Sequence, residues 1–140
     1  MIPAPKNDQK WLKINLGAIQ LEIKLLTDDL SILEISLGAG ANSDLHFHTR
    51  ERETFVVLHG EINFVINNQT LVATAGQTVT IEPKAVHCFS NTNSLEARAI
   101  LILNPGGLAQ YFLDLQELLE TRASAQQIQA LGQHYGLQFL

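Results

Sequence analysis

Between residues 11 and 104 the chain alternates apolar and polar side chains at period two, in one short run after another. Leu12-Ile14-Leu16, Ile19-Leu21-Ile23-Leu25 and Leu33-Ile35-Leu37 each place their apolar members on one face of an extended backbone. Turn-forming residues separate these runs: Gly17, the Thr27-Asp28-Asp29 cluster, then Gly38-Ala39-Gly40. Residues 62–66 and 70–74 read as a hairpin around Asn67-Asn68-Gln69. Gly76 opens a further turn, Val79 and Ile81 alternate with threonines, and 97–103 forms a last buried run. Some ten short strands at this spacing predict a mainly β protein, a sandwich or barrel. No helix-length pattern interrupts them.

The character changes at Asn104-Pro105-Gly106-Gly107. Leu108, Phe112, Leu115 and Leu119 then fall on one stripe of an amphipathic helix. A second helix is expected from Ser124, where Gln127 can complete a capping box and Gly136 can end the helix. Ile128, Leu131 and Tyr135 mark its apolar side. Both stripes read as packing surfaces, on the barrel or on a neighbouring subunit, with a ligand lid as the alternative. Without a repeat, a low-complexity tract or a linker, residues 1–140 read as one domain. The barrel spans about 11–104 and a helical segment about 105–140.

Composition narrows the function classes. The net charge is −5 and the basic residues are scattered; Arg50 and Arg52 alternate with Glu51 and Glu53, so nucleic acid has little to hold. The longest apolar run, 99–103, is far short of the ~20 residues that cross a bilayer. Met1-Ile2-Pro3-Ala4-Pro5-Lys6 lacks the pattern of a secretory leader. Cys88 is the only cysteine, which excludes an internal disulfide and suits a reducing compartment, so a cytoplasmic location is expected.

The chemistry concentrates in "DLHFHTRERETFVVLHGEINF", residues 44–64. On a strand, His46 and His48 project to the same face with Phe47 on the other. The stretch 49–52 can turn the chain, so that Glu53, Phe55, Val57 and His59 share a face of the returning strand. Glu53 would then stand opposite the histidines. Two imidazoles and a carboxylate are a partial set of ligands for a divalent ion, lacking a fourth donor. Histidine pairs on strands are common, and this spacing alone also fits a hairpin that carries incidental imidazoles.

Written with its glycines, the stretch is Gly40-x5-His46-x-His48-x4-Glu53-x6-Gly60. It resembles the first conserved motif of the cupin superfamily, G-x5-H-x-H-x(3,4)-E-x6-G, at every defined position. Further on, Gly76, His87 and Asn91 stand at the spacing of the second motif, G-x5-P-x-G-x2-H-x3-N. Two positions depart from it. Glu82 replaces the proline, with Pro83 one place late, and Lys84 replaces the glycine. Both are backbone devices rather than donors, so the departures bear on the loop's shape more than on the site.

The resemblance implies a jelly-roll antiparallel β-barrel in which His46, His48, Glu53 and His87 bind one divalent metal ion: manganese, iron, nickel, copper or zinc. One or two coordination positions would stay open, as in a catalytic rather than a structural site. It also implies a homodimer. The segment 105–112, with Tyr135-Gly136-Leu137, is similar to the end of small bacterial quercetinase-like cupins, although Leu108 replaces the more usual aromatic.

Three functions are compatible with these residues. The favoured one is a mononuclear metal dioxygenase acting on a small enolic or aromatic hydroxy compound. In it Glu53 is the catalytic base, either as a fixed ligand or after leaving the metal, and Phe55, Phe64 and Phe89 are candidate pocket walls. Phenylalanines at period two are equally ordinary barrel core. The second is a metal-dependent isomerase or epimerase of a hydroxy-carbonyl compound, for which Thr78, Thr80 and Asn63 offer few polar groups. The third is a non-catalytic small-molecule-binding cupin. His59 reads as a turn or surface residue, His134 as a helix-end cation, and Cys88 as a buried inert thiol facing away from His87.

Overall fold

The computed structural model describes residues 12–140. Trp11 and the N-terminal segment on which the leader expectation rests lie outside the described residues. Ten strands occupy the alternating region: β1 (Leu12–Leu16), β2 (Ile19–Leu26), β3 (Ser31–Leu37), β4 (His46–His48), β5 (Arg52–His59), β6 (Glu61–Ile66), β7 (Gln69–Thr74), β8 (Thr78–Ile81), β9 (His87–Ser90) and β10 (Ala97–Asn104). They are followed by α1 (Leu108–Glu120), α2 (Ala125–His134) and a short β11 (Leu137–Phe139).

All pairings are antiparallel, in two sheets. One runs β1-β2-β3-β10-β5-β8 and the other β11-β4-β9-β6-β7, the mainly β jelly-roll arrangement expected. Period two sorts each strand into a core face and an outer face. Along β3, Ser31, Leu33, Ile35 and Leu37 are buried while the residues between them are half-buried, and β10 repeats the pattern with Ala97, Ala99, Leu101 and Leu103. Each such Leu or Ile taken fully out of water contributes about 1.5–3 kcal/mol. Phe55, Phe64 and Phe89 meet across the core, with Phe55 ring centroids 5.1 Å from Phe64 and 5.3 Å from Phe89.

Several local expectations are corrected. The β6–β7 turn is the pair Asn67-Asn68, at φ 47° and 67°, and Gln69 already belongs to β7. This is the two-residue geometry whose positive φ angles match strand twist, and asparagine tolerates them. On β5, the register against β10 slips at Leu58, so His59 does not continue the face of Glu53, Phe55 and Val57. It turns out to solvent immediately before Gly60. Cys88 faces away from the neighbouring His87 and Phe89, but it is half-buried rather than buried.

The apolar stripe of α1 also divides. Leu108 is buried and Phe112 and Leu115 are half-buried, but Leu119 is 45% exposed; Ala109 and Tyr111 complete the buried side. Ahead of the helix, Gly106 passes so close to the backbone of Thr27 and Leu30 that a Cβ there would collide with it, and Ser31 Oγ donates to its carbonyl at 2.8 Å. α2 starts at the expected capping box: Gln127 N–H donates to Ser124 Oγ (3.2 Å) and Ser124 N–H to Gln127 Oε1 (2.8 Å).

The tail is not only helical. Gly136 reverses the chain at φ 76°, and β11 then pairs with β4, Leu137 opposite His48 and Phe139 opposite His46. A three-residue strand with one buried apolar side chain carries too little periodicity to be read in advance. Among the described residues, no helix is long and apolar enough to cross a membrane.

Candidate metal centre

β4 lies between β11 and β9, and its alternation buries both His46 and His48 with Phe47 on the opposite face. His46 pairs directly with His87 of β9. Glu53 comes from the other sheet, near the start of β5, between Leu103 of β10 and Ile81 of β8. The candidate ligand atoms of His46, His48, Glu53 and His87 all lie within 4.8 Å of one another, and all four residues are buried. The fourth donor absent from residues 44–64 is therefore in place beside the other three.

The hydrogen bonds fix what each nitrogen offers. His46 Nδ1 lies 2.6 Å from the carbonyl of Asp44, and His87 Nδ1 lies 2.8 Å from that of Ala85. A carbonyl can only accept, so both rings carry a proton on Nδ1, which leaves Nε2, facing inward, as the nitrogen that can ligate. There, His46 Nε2 and His48 Nε2 are 3.1 Å apart, and Glu53 Oε1 is 2.6 Å from His48 Nε2 and 3.1 Å from His87 Nε2. Electron-rich atoms crowded in this way repel unless protons or a cation lie between them. Three imidazole nitrogens and a carboxylate oxygen are suitable donors for a borderline divalent ion, so the residues present fit a bound metal.

The electrostatics point the same way. Burial, then the neighbouring His87, lower the pKa of His46 to about 4, which keeps it neutral and able to ligate at ordinary pH. Burial works to raise the Glu53 pKa, but hydrogen bonds and charge from His48 and His87 outweigh it and hold the carboxyl well below its usual range. Burial also works to lower that of His87, and the hydrogen bond to Glu53 reverses the shift upward.

The second-motif loop keeps its shape despite its departures. Ala85 N–H donates to Glu82 O at 3.1 Å, closing a turn with Pro83 and Lys84 at its centre. Lys84 adopts φ 70°, the left-handed conformation for which a glycine is suited, and Pro83 precedes it as in a type II turn. Lys84 N–H donates to His48 O at 2.7 Å, tying the loop to the strand that carries two of the four candidate ligands. Asn91, which ends the motif, is a buried brace: its Nδ2 donates to Leu37 O (2.9 Å) and Leu95 O (2.8 Å).

Beside the cluster opens a cavity of about 330 Å³, lined by His46, His48 and Glu53 and by predominantly apolar side chains from both sheets and from α1. Of the three phenylalanines proposed as walls, Phe89 lines it; Phe55 and Phe64 are fully buried behind it as core. Sequence reasoning missed other wall residues. Tyr111 faces the cavity from α1, beside Phe112 of the stripe for which a ligand lid is the alternative reading, and Phe139 approaches His46 with ring centroids 5.8 Å apart. Burial raises the pKa of Tyr111 to about 12, so its hydroxyl stays protonated. Glu51 was also missed. Its carboxylate is buried and its pKa raised by that burial, and its Oε2 faces His48 Nδ1 at 3.9 Å.

Fold and cluster together define a jelly-roll protein with a candidate mononuclear metal centre in the wall of a mainly apolar cavity. A family model described as "Cupin domain" matches residues 33–103, half of the chain, and the protein belongs to that family. Among solved structures, an RmlC-like cupin from Shewanella frigidimarina is similar at TM-score 0.69 and 18% identity, covering 79% of this chain and 96% of that one. KdgF from Halomonas sp. is similar at TM-score 0.63 and 17% identity, covering 73% and 91%. Pac13 of Streptomyces, described as a nucleoside dehydratase, is similar at TM-score 0.60 and 20% identity, covering 72% and 81%. At these identities the likeness concerns the fold. No curated protein sequence matches the chain.

Proposed function

We propose that the protein is a mononuclear divalent-metal dioxygenase acting on a small enolic or aromatic hydroxy compound. The observation that carries this reading is the placement of His46, His48 and Glu53 in the wall of a cavity whose other walls are mainly apolar. Its volume, about 330 Å³, is at the small end of ligand sites. Such a space accepts a compact organic molecule with its hydroxyl toward the three side chains and its body against Phe89, Tyr111 and Phe112.

When bound, a divalent ion supplies Lewis acidity that lowers the pKa of a hydroxyl and, if redox-active, a path for electrons to molecular oxygen. The chain's own part is positioning and proton transfer. Glu53, held ionised by His48 and His87, is the carboxylate to which the hydroxyl proton would pass. The carbonyls of Asp44 and Ala85 hold His46 and His87 in the ligating tautomer. The apolar walls exclude water, which strengthens each of these interactions.

A second reading is a metal-dependent isomerase or epimerase that shifts a proton, or a dehydratase that removes a proton and releases the hydroxyl as water, in each case without oxygen. It draws on Pac13, described as a nucleoside dehydratase, and on Asn42, Ser43 and Asp44, which line the same cavity. Incubation of manganese-, iron-, nickel- or copper-loaded protein with a flavonol panel tests the first reading. Substrate-dependent oxygen uptake with a ring-opened product supports it. Unchanged spectra and no oxygen uptake with every metal exclude it. Solvent deuterium entering a hydroxy-carbonyl substrate without oxygen consumption would favour the second.

A further inference from the structure

Two of the three clustered histidines have their outer nitrogen anchored in the same way. Nδ1 of His46 donates to the carbonyl two residues earlier, and so does Nδ1 of His87. His48 breaks the pattern. Its Nδ1 is buried and has no hydrogen-bond partner, and the other buried side-chain atom without one among the described residues is Oε2 of Glu51. These two atoms face each other at 3.9 Å, with both side chains about 95% buried.

We propose that Glu51 is the positioning residue for His48. Its carboxylate takes the Nδ1–H of the ring and so commits Nε2 to the metal. This rests on the metal-centre reading above and extends it to the outer side of one ligand.

The geometry makes the assignment specific. His48 Nε2 points into the cluster, 2.6 Å from Glu53 Oε1, which leaves Nδ1 aimed outward at Glu51. Ligation through Nε2 requires the remaining ring proton on Nδ1, and a buried N–H without an acceptor is costly. Glu51 lies in the turn between β4 and β5, two residues before Glu53. A shift of about 1 Å brings its Oε2 to hydrogen-bonding distance. A carboxylate in that position orients the ring and raises its basicity as a ligand, and losing such a partner typically weakens metal binding about 10–100-fold. Glu51 touches neither the cavity nor the other three ligands at hydrogen-bond distance, so its effect passes through His48.

The test is calorimetric titration of zinc ion into metal-free wild type, Glu51→Gln and Glu51→Ala, with imidazole nitrogen NMR of the zinc-loaded proteins. Glu51→Gln is close in shape and its amide oxygen still accepts, so it guards against a merely misfolded alanine variant. The expected result is zinc binding about 10–100-fold weaker in Glu51→Ala and a smaller loss in Glu51→Gln. The His48 Nδ1–H should exchange slowly with solvent in wild type and rapidly in Glu51→Ala. Zinc affinity within twofold of wild type in Glu51→Ala, or an equally protected Nδ1–H there, overturns the assignment while leaving the metal centre standing. A wild type that binds no zinc, manganese, nickel or copper overturns both.

Discussion

Glu53 and His87 stand on different sheets, 34 residues apart in the chain, yet Glu53 Oε1 lies 3.1 Å from His87 Nε2. The candidate centre is thus a link across the core: three imidazoles from β4 and β9 face one carboxylate from β5. Glu53→Gln removes the charge and leaves an amide of similar shape. That variant should bind metal at least about tenfold more weakly, since the loss of a ligand costs no less than the loss of an outer partner. It should also lose turnover while keeping the fold. Metal titration and circular dichroism of the variant check both expectations.

The same contact sets a pH dependence for the metal-free protein. Glu53 has its pKa depressed from 4.5, so its contribution to stability is present above that value and is lost as pH falls through the lower folded-state pKa. His46 has its pKa lowered from 6.5 to about 4, so the unfolded chain takes up a proton first and stability falls between those values on acidification. His87, with its pKa raised, acts in the opposite direction: its contribution is full below 6.5 and declines as pH rises through the folded value. Thermal unfolding of metal-free protein should therefore show a midpoint that falls from pH 6.5 to 4 through His46, and a further fall below pH 4.5 that is smaller in Glu53→Gln.

Lys84 holds a left-handed backbone at φ 70° in the loop that hydrogen-bonds to His48 O. A side chain with a Cβ costs about 1–2 kcal/mol in that conformation, part of which glycine returns through its greater freedom when unfolded. Lys84→Gly should stabilise the protein by about 0.5–1 kcal/mol without changing metal affinity. Denaturant melts at constant m-value check it.

Gly136, at φ 76°, packs against the side chains of Thr49 and Arg50, and its carbonyl accepts from Thr49 N–H at 2.9 Å. Gly136→Ala meets both the backbone strain and the collision, so a loss of more than about 1–2 kcal/mol is expected. Because β11 pairs with the strand of His46 and His48, metal affinity should fall together with stability. Thermal melts and metal titration of the same preparation test whether the two are coupled.

The strands from β1 to β10 were legible because period-two alternation is a local property, visible wherever one face of a strand is buried. The candidate ligands were legible for a different reason: His46, His48, Glu53, His87 and the surrounding glycines repeat a family spacing at nearly every position. What remained hidden depends on register or on contacts between distant elements. The slip at Leu58 that turns His59 outward depends on how β5 meets β10, and β11 exists because Leu137 finds a buried place beside His48. Phe55, Phe64 and Phe89 share one pattern in sequence. Which of them reaches the cavity depends on where α1 covers the sheets. Glu51, one of four alternating charges in "RERE", gives no sign in sequence that it is buried while Arg52 next to it is exposed and pairs with Glu82.

If His46, His48, Glu53 and His87 hold one divalent metal ion, the purified protein should carry it. Elemental analysis of protein purified without chelators, alongside His48→Ala and His87→Ala, tests this most directly. Close to one equivalent of a transition metal per chain is expected in the wild type, with a near-complete loss in both variants, which should remain folded. Equal metal content in all three proteins would contradict this.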